Sequence, residues 1–203
     1  MKIVGLTGPT GSGKGVVGNA FLTRGIPVLD TDAVYHEWIE KPSSCTEELV
    51  EAFGTEILAS DGSIDRPKLA AIVFSGDEKE KENLDRLGNI THCYVLRSCR
   101  DWLKEQLFGG QKIVVIDAPL LIEAGLHRVC HHVIAVLAPK DVRLSRIIAR
   151  DGITRDAALA RISAQEADAF YKEHANYVFV NDKTLSDVDL FVENVIAEIS
   201  VSQ

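Results

Sequence analysis

Gly5-Leu6-Thr7-Gly8-Pro9-Thr10-Gly11-Ser12-Gly13-Lys14-Gly15 follows the apolar pair Ile3-Val4 directly. The part from Gly8 to Lys14 fits the first seven positions of the phosphate-binding loop G-x-x-x-x-G-K-[ST]. Glycines in such a loop let backbone N–H groups turn inward around a polyphosphate, and the lysine reaches the outer phosphates. A helix beginning at the loop directs its positive end at the same anion. That helix is legible in Val16-Val17-Gly18-Asn19-Ala20-Phe21-Leu22, where Val17, Ala20 and Phe21 share one face. Strand, glycine-rich loop, helix is the context that separates this motif from a glycine-rich turn in an ordinary βα unit. The eighth position, normally Ser or Thr, is Gly15. The loop therefore announces nucleotide binding and departs from the pattern where a hydroxyl would hold Mg²⁺.

Four further apolar runs extend the reading along the chain: Ile26 to Leu29, Ile113 to Ile116, Val133 to Leu137 and Tyr177 to Val180. Continuous runs of this kind suit strands buried on both faces. Helical periodicity lies between them, over 46–53, 67–74, 78–107, 139–150 and 185–199. Strands alternating with helices predict an α/β fold with a five-stranded parallel sheet covered on both faces. At 203 residues the chain fits one domain with room for an insertion.

Composition narrows the class. Apolar residues make up 46% and charged residues 26%, the balance of a globular protein. The net charge of −8 argues against a surface built to coat a nucleic-acid backbone. No apolar stretch approaches a membrane span, and the single lysine before the loop does not make a signal peptide, so no membrane association is expected. Cys45, Cys93, Cys99 and Cys130 are scattered without a paired spacing, which argues against a metal cluster or disulfide framework and suits a reducing cytosol.

In a parallel sheet, ligands sit beyond the carboxyl ends of the strands. Asp30-Thr31-Asp32 follows the second strand. One of its carboxylates can take a proton from a substrate hydroxyl while the other caps a helix or holds a metal-bound water; both can equally be caps. Ile113-Val114-Val115-Ile116-Asp117 resembles a Walker B strand, with Asp117 placed for Mg²⁺, although strands ending in Asp are common. Arg143, Arg146 and Arg150 share a helical face, and Arg155 and Arg161 follow. From Lys140 to Arg161, six basic residues face three acidic ones, a local net charge of +3. Arginines on a mobile lid supply the positive charge phosphoryl transfer needs; the alternative is an exposed helix laced with ion pairs. His92 is a candidate substrate contact, His131-His132 reads as a surface pair, and the run from Asp77 to Glu82 as a solvated helix start.

Together these segments resemble the dephospho-coenzyme A kinases. Gly25 to Asp32 is similar to the family's G-[IV]-P-V-x-D-A-D, and Asp61 to Arg66 to its D-G-x-[IL]-[DN]-R. The stretch from Asp117 through Pro119, Leu120, Leu121 and Glu123 to Leu126 resembles D-[IV]-P-L-L-[FY]-E-x-x-L. Arg150 to Thr154 with Arg161 to Gln165 resembles the lid and the helix after it, and Asn176 to Asn181 is close to [AD]-[DY]-x-[IV]-x-N.

The resemblance implies a three-layer P-loop kinase fold, a single domain over 1–203. It places a helical acceptor-binding region at about 33–110 and a lid at about 140–165. It implies ATP-dependent phosphorylation of the ribose 3′-hydroxyl of dephospho-coenzyme A, with Mg²⁺, in the cytoplasm, by a monomer or weak homo-oligomer. The alternatives are a kinase of another nucleotide or small metabolite, or a weakly catalytic nucleotide-binding module. Asp32 is implied as general base, with Lys14 and Arg146 beside it in catalysis. Gly11, Ser12, Gly13, Lys14, Gly15, Val16, Arg150 and Asn181 are implied for the nucleotide; Arg66, His92, Leu120 and Asp32 for the acceptor; Asp117 for the metal. Gly15, and Cys93 in place of the proline that follows the family's histidine, are departures.

Overall fold

The computed structural model describes residues 1–182 and 184–201. They form two compact units, one built from residues up to Asp30 and from Glu105 onward, the other from Thr31–Lys104.

The first unit is organised by a five-stranded sheet. Its strands are β1 (Lys2–Thr7), β2 (Val28–Asp30), β3 (Ile113–Asp117), β4 (His132–Leu137) and β5 (Tyr177–Val180), in the order β2-β3-β1-β4-β5. Every pairing is parallel. The five apolar runs of the sequence are these five strands. A strand covered on both faces must be apolar at successive positions, and β4 shows the reason. Ile134 and Val136 join one core cluster with α1 (Lys14–Leu22) and α9 (Leu185–Val201). Ala135 and Leu137 join another with Ile122 and with Tyr171 of α8 (Asp168–His174). On the first face, α1 contributes Val17, Ala20 and Phe21, and α9 contributes Val188, Val192, Val195 and Ile199.

Between β4 and β5 lie α6 (Lys140–Asp151) and α7 (Arg155–Ser163). Gly152, with φ of 65°, ends α6 in the left-handed conformation, and the Thr154 hydroxyl accepts from Ala157 N to start α7. Leu144 and Ile147 close against Ala158 and Ile162. The periodicity over 139–150 foreshadowed α6. The seven-residue α8 carried no signal of its own, because a helix so short takes its definition from the Tyr171 contact with the sheet.

The second unit contains α2 (Thr31–Ile39), α3 (Ser44–Phe53), a 3-10 turn at Thr55–Ile57, α4 (Arg66–Val73) and α5 (Glu80–Phe108) up to Lys104. Ser43 and Thr46 form a reciprocal capping box at α3, and Asp65 caps α4 with Pro67 in its first turn. Ile39, Leu49, Phe53, Ile57, Leu69, Val73 and Tyr94 form its core. The run from Asp77 into the first turn of α5 is exposed, as its mixed charges predicted.

The core beneath the glycine loop generates a direct test. Phe21 is fully buried between the sheet and α9. Phe21→Ala is expected to cost about 3–5 kcal/mol, read as a lower denaturant midpoint at unchanged slope.

Candidate active site

The loop that follows β1 has a backbone only glycine adopts comfortably. Gly8, Gly11 and Gly13 have φ of 149°, 77° and 87°. The space around them is as restrictive as the angles. A Cβ at Gly8 would strike the Val136 carbonyl oxygen, one at Gly11 would lie 2.7 Å from the Arg143 carbonyl oxygen, and one at Gly13 would strike Asn181 Nδ2. The loop is thus clamped by the end of β4, by α6 and by the residue that follows β5.

Side chains satisfy the carbonyls that this path turns outward. Arg146 Nη1 donates to the Gly11 and Ser12 carbonyl oxygens at 3.3 and 3.2 Å, and its Nη2 to the Asn181 carbonyl at 3.1 Å. Asn181 Nδ2 donates to the Ser12 carbonyl at 2.9 Å. Arg143 Nε donates to the Thr10 carbonyl at 2.9 Å and its Nη2 to Gln165 Oε1 at 3.1 Å, while Thr10 N donates to the same Gln165 oxygen at 2.9 Å. Arg143 is only 5% exposed. Burial pushes its guanidinium below the usual range, opposed by the carboxylate of Asp168.

Gly13 caps α1, so Lys14, Gly15 and Val16 occupy its first turn. The first amides of a helix have no intrahelical acceptor and face whatever anion sits there. The Ser12 and Val16 amides are different: they donate to the Pro9 and Gly13 carbonyls at 3.1 and 3.0 Å and shape the turn. Ser12 Oγ is buried, and among the described residues it has no hydrogen-bond partner. A buried hydroxyl in a cradle of amides fits a loop built for phosphate oxygens.

Lys14 Nζ is ion-paired with Asp117 Oδ1. Asp117 ends β3 and is 6% exposed. Its register partners are Leu6 on β1 and Asp30 on β2, so the sheet sets two carboxylates on adjacent strand ends beside the loop. Gly15 differs from the other loop glycines. A Cβ there would meet nothing within 4 Å, and its φ is not positive, so neither space nor backbone excludes a Ser or Thr.

The remaining sequence candidates lie as follows. Arg150 is exposed and pairs with Asp151 through two hydrogen bonds of 2.7 and 3.0 Å. Asp151 also accepts from Arg161, and these guanidinium bonds, Arg150's first, hold its carboxyl below the usual range. The arginine series therefore divides: Arg143 and Arg146 brace the loop, whereas Arg150 and Arg161 clasp Asp151 at the α6–α7 corner. Leu120 is exposed in the turns after β3. In the second unit, Asp32 is exposed in the first turn of α2, Arg66 is exposed at the first position of α4, and His92 is exposed in mid-α5 beside Gly88. With Cys93 in place of proline, α5 continues through this point without a break. His131 is more than a surface residue, since its Nδ1 accepts from Ile3 N at 3.0 Å and steadies the start of β1.

Sequence reasoning missed Gln165 as a brace and took Arg143 for a lid arginine. Arg143 donates to the Thr10 carbonyl and Gln165 accepts from the Thr10 amide, partners more than a hundred residues away, a relation that spacing does not encode.

An all-parallel sheet with a central strand running into a phosphate-binding loop, and a lysine and a strand-end carboxylate beside it, defines a P-loop kinase. Solved structures share this fold. The dephospho-CoA kinase from Campylobacter jejuni superimposes with a TM-score of 0.70 over 98% of both chains at 24% identity. The TT1252 protein of Thermus thermophilus does so with a TM-score of 0.82 over 97% of both at 34% identity. The chain belongs to the dephospho-CoA kinase family: the family model CoaE: Dephospho-CoA kinase matches residues 2–187. It is similar to the dephospho-CoA kinase of Arabidopsis thaliana, at 36% identity over 98% of this chain and 84% of that protein.

The bracing role of Arg143 is testable. Arg143→Ala leaves the Thr10 carbonyl without its donor and Gln165 with the Thr10 amide alone. A loss of about 1–3 kcal/mol in unfolding free energy is expected, together with weaker nucleotide binding in a fluorescence titration.

Proposed function

We propose that the chain transfers the γ-phosphoryl group of ATP to the ribose 3′-hydroxyl of dephospho-coenzyme A, releasing ADP and coenzyme A, the last step of coenzyme A biosynthesis. The observation that carries the reading is Lys14, held by Asp117 at the mouth of a fully braced glycine loop, in a chain whose family match spans residues 2–187. The α1 amides and Lys14 receive the ATP phosphates, and Asn181 holds the loop from the adenine side. The phosphates compete with Asp117 for the lysine as they arrive. Arg146, already donating to the loop carbonyls, places positive charge next to the transferring group. Arg150 is the arginine that can leave Asp151 for phosphate.

The acceptor supplies the nucleophile. Asp32 takes the proton of the 3′-hydroxyl as its oxygen bonds to the γ-phosphorus. The bond between that phosphorus and the β,γ-bridging oxygen breaks, and the electron pair leaves with ADP. Arg66, His92 and Leu120 are proposed acceptor contacts.

The chain offers Mg²⁺ the carboxylate of Asp117. Among the described residues no group of three or more His, Cys, Asp or Glu forms a metal cage. One carboxylate with phosphate oxygens and waters is a donor set Mg²⁺ accepts. When bound, the ion offsets charge on the β- and γ-phosphates. Among the described residues no helix is long and apolar enough to cross a membrane, which is compatible with a cytoplasmic enzyme.

Asp32→Asn is expected to lower kcat by about 10²–10⁴-fold, followed as ADP release, while ATP binding measured by calorimetry stays unchanged. Tight ATP binding by the unaltered protein without any ADP release in the presence of dephospho-coenzyme A and Mg²⁺ would overturn the kinase reading.

Gly15 generates a separate expectation, because its open surroundings admit a larger side chain. Gly15→Thr restores a hydroxyl at the first turn of α1. ATP affinity, measured with Mg²⁺ and again with chelator, is expected to gain severalfold more from the metal in the variant. Equal metal dependence in both proteins would show that a water already serves in the hydroxyl's place.

A further inference from the structure

The second unit contains a cavity of 530 Å³ lined by Tyr35, Arg66, Leu69, Ala70, Val73 and Phe74, with Pro67 and Leu87 completing it. Its size lies within the range of small-molecule sites. Leu69 and Val73 form a floor continuous with the core, and Phe74 stands at the edge 63% exposed, a large aromatic left uncovered in solvent. Arg66 is the one charged residue of the lining. Its guanidinium is close enough for its charge to be felt at the Tyr35 hydroxyl. The lining is therefore apolar with a single cation, which suits a ligand that is apolar along its length and anionic at one end.

The position of the cavity on α2 adds direction. Asp32 and Tyr35 are three residues apart on this helix, which makes them neighbours on one face with a rise of about 4.5 Å. A ligand whose ribose lies at Asp32 has the cavity one helical turn away.

We propose that this cavity receives the pantetheine arm of the acceptor, with Arg66 toward the diphosphate that joins arm to nucleoside. The inference rests on the function proposed above. The arm combines a gem-dimethyl group and a methylene chain with two amides. The methyls and methylenes cover the exposed Phe74 and Ala70 above the buried Leu69 and Val73, and the diphosphate supplies the negative charge that Arg66 otherwise lacks within the lining. The cavity is thereby a specificity device: it rewards the arm and leaves a bare adenine nucleotide without a reason to bind there.

Ala70 provides the cleanest test, being exposed on α4 and small enough that replacement fills the cavity without opening the core. Steady-state kinetics with dephospho-coenzyme A as acceptor are compared with the inhibition constant of adenosine 5′-monophosphate, the nucleotide without the arm, against the same acceptor. Ala70→Trp is expected to raise KM for dephospho-coenzyme A about tenfold, the scale on which lost apolar contacts discriminate ligands. KM for ATP and the inhibition constant of the monophosphate are expected to stay as they are. Phe74→Ser, at an exposed position, is expected to move KM in the same direction by a smaller factor. An unchanged KM in both variants, or an equal rise for the nucleotide without the arm, overturns the assignment of the cavity. An unaltered protein that does not phosphorylate dephospho-coenzyme A overturns the underlying reading instead, so the two failures are told apart.

Discussion

Packing around the loop from Gly8 to Gly13 leaves no room for a side chain at its three glycines. Three of its residues have positive φ, and a Cβ at any of them would collide with the Val136 carbonyl, the Arg143 carbonyl or the Asn181 amide. Those three groups come from the end of β4, from α6 and from the residue after β5. In the observed order β2-β3-β1-β4-β5, the strand that leads into the loop lies beside β4, and β5 is next to β4. Sheet topology, helix placement and phosphate cradle are thus one packing solution.

Charge is distributed to match. A chain with net charge −8 concentrates cationic groups around one loop and commits most of them to named partners. Arg143 and Arg146 neutralise outward carbonyls, so the loop keeps its shape before any nucleotide arrives, and pre-organised donors cost no rearrangement during the reaction. Lys14 rests on Asp117, which holds the lysine in the first turn of α1 and keeps both charges paired in a partly buried setting. Gly15 lies just beyond this packed region. Its absent side chain follows from neither sterics nor backbone angle, so the change it makes is chemical: one oxygen donor fewer at the first turn of α1.

The second unit obeys different rules. Local capping at Ser43 and Asp65 starts two of its helices, and its core cluster is drawn from its own residues. Phe74 and Arg66 are exposed there and help to line its cavity.

Much of this was legible in the primary structure. Apolar runs identified the five strands: the central β1, β3 and β4 are covered on both faces and have no solvent face to record a period, whereas β5, expected to be buried on both faces, leaves Val178 and Val180 exposed at the sheet edge. The loop motif fixed the position of α1, and the strand-end Asp117 was visible beside it. The motif series also identified the family. Three helices lay outside the periodic segments: α2, α7 and α8 have nine, nine and seven residues, fewer than the window in which a helical period stands out. Division of labour among the arginines was beyond sequence reasoning. Arg143, Arg146 and Arg150 share one spacing, yet two serve loop carbonyls and the third an adjacent aspartate. Sequence alone determined that this chain has a glycine loop, a lysine to fill it and carboxylates at two strand ends. Tertiary structure alone decided which side chains hold that loop open, since their partners are carbonyls and amides brought close only when the sheet assembles.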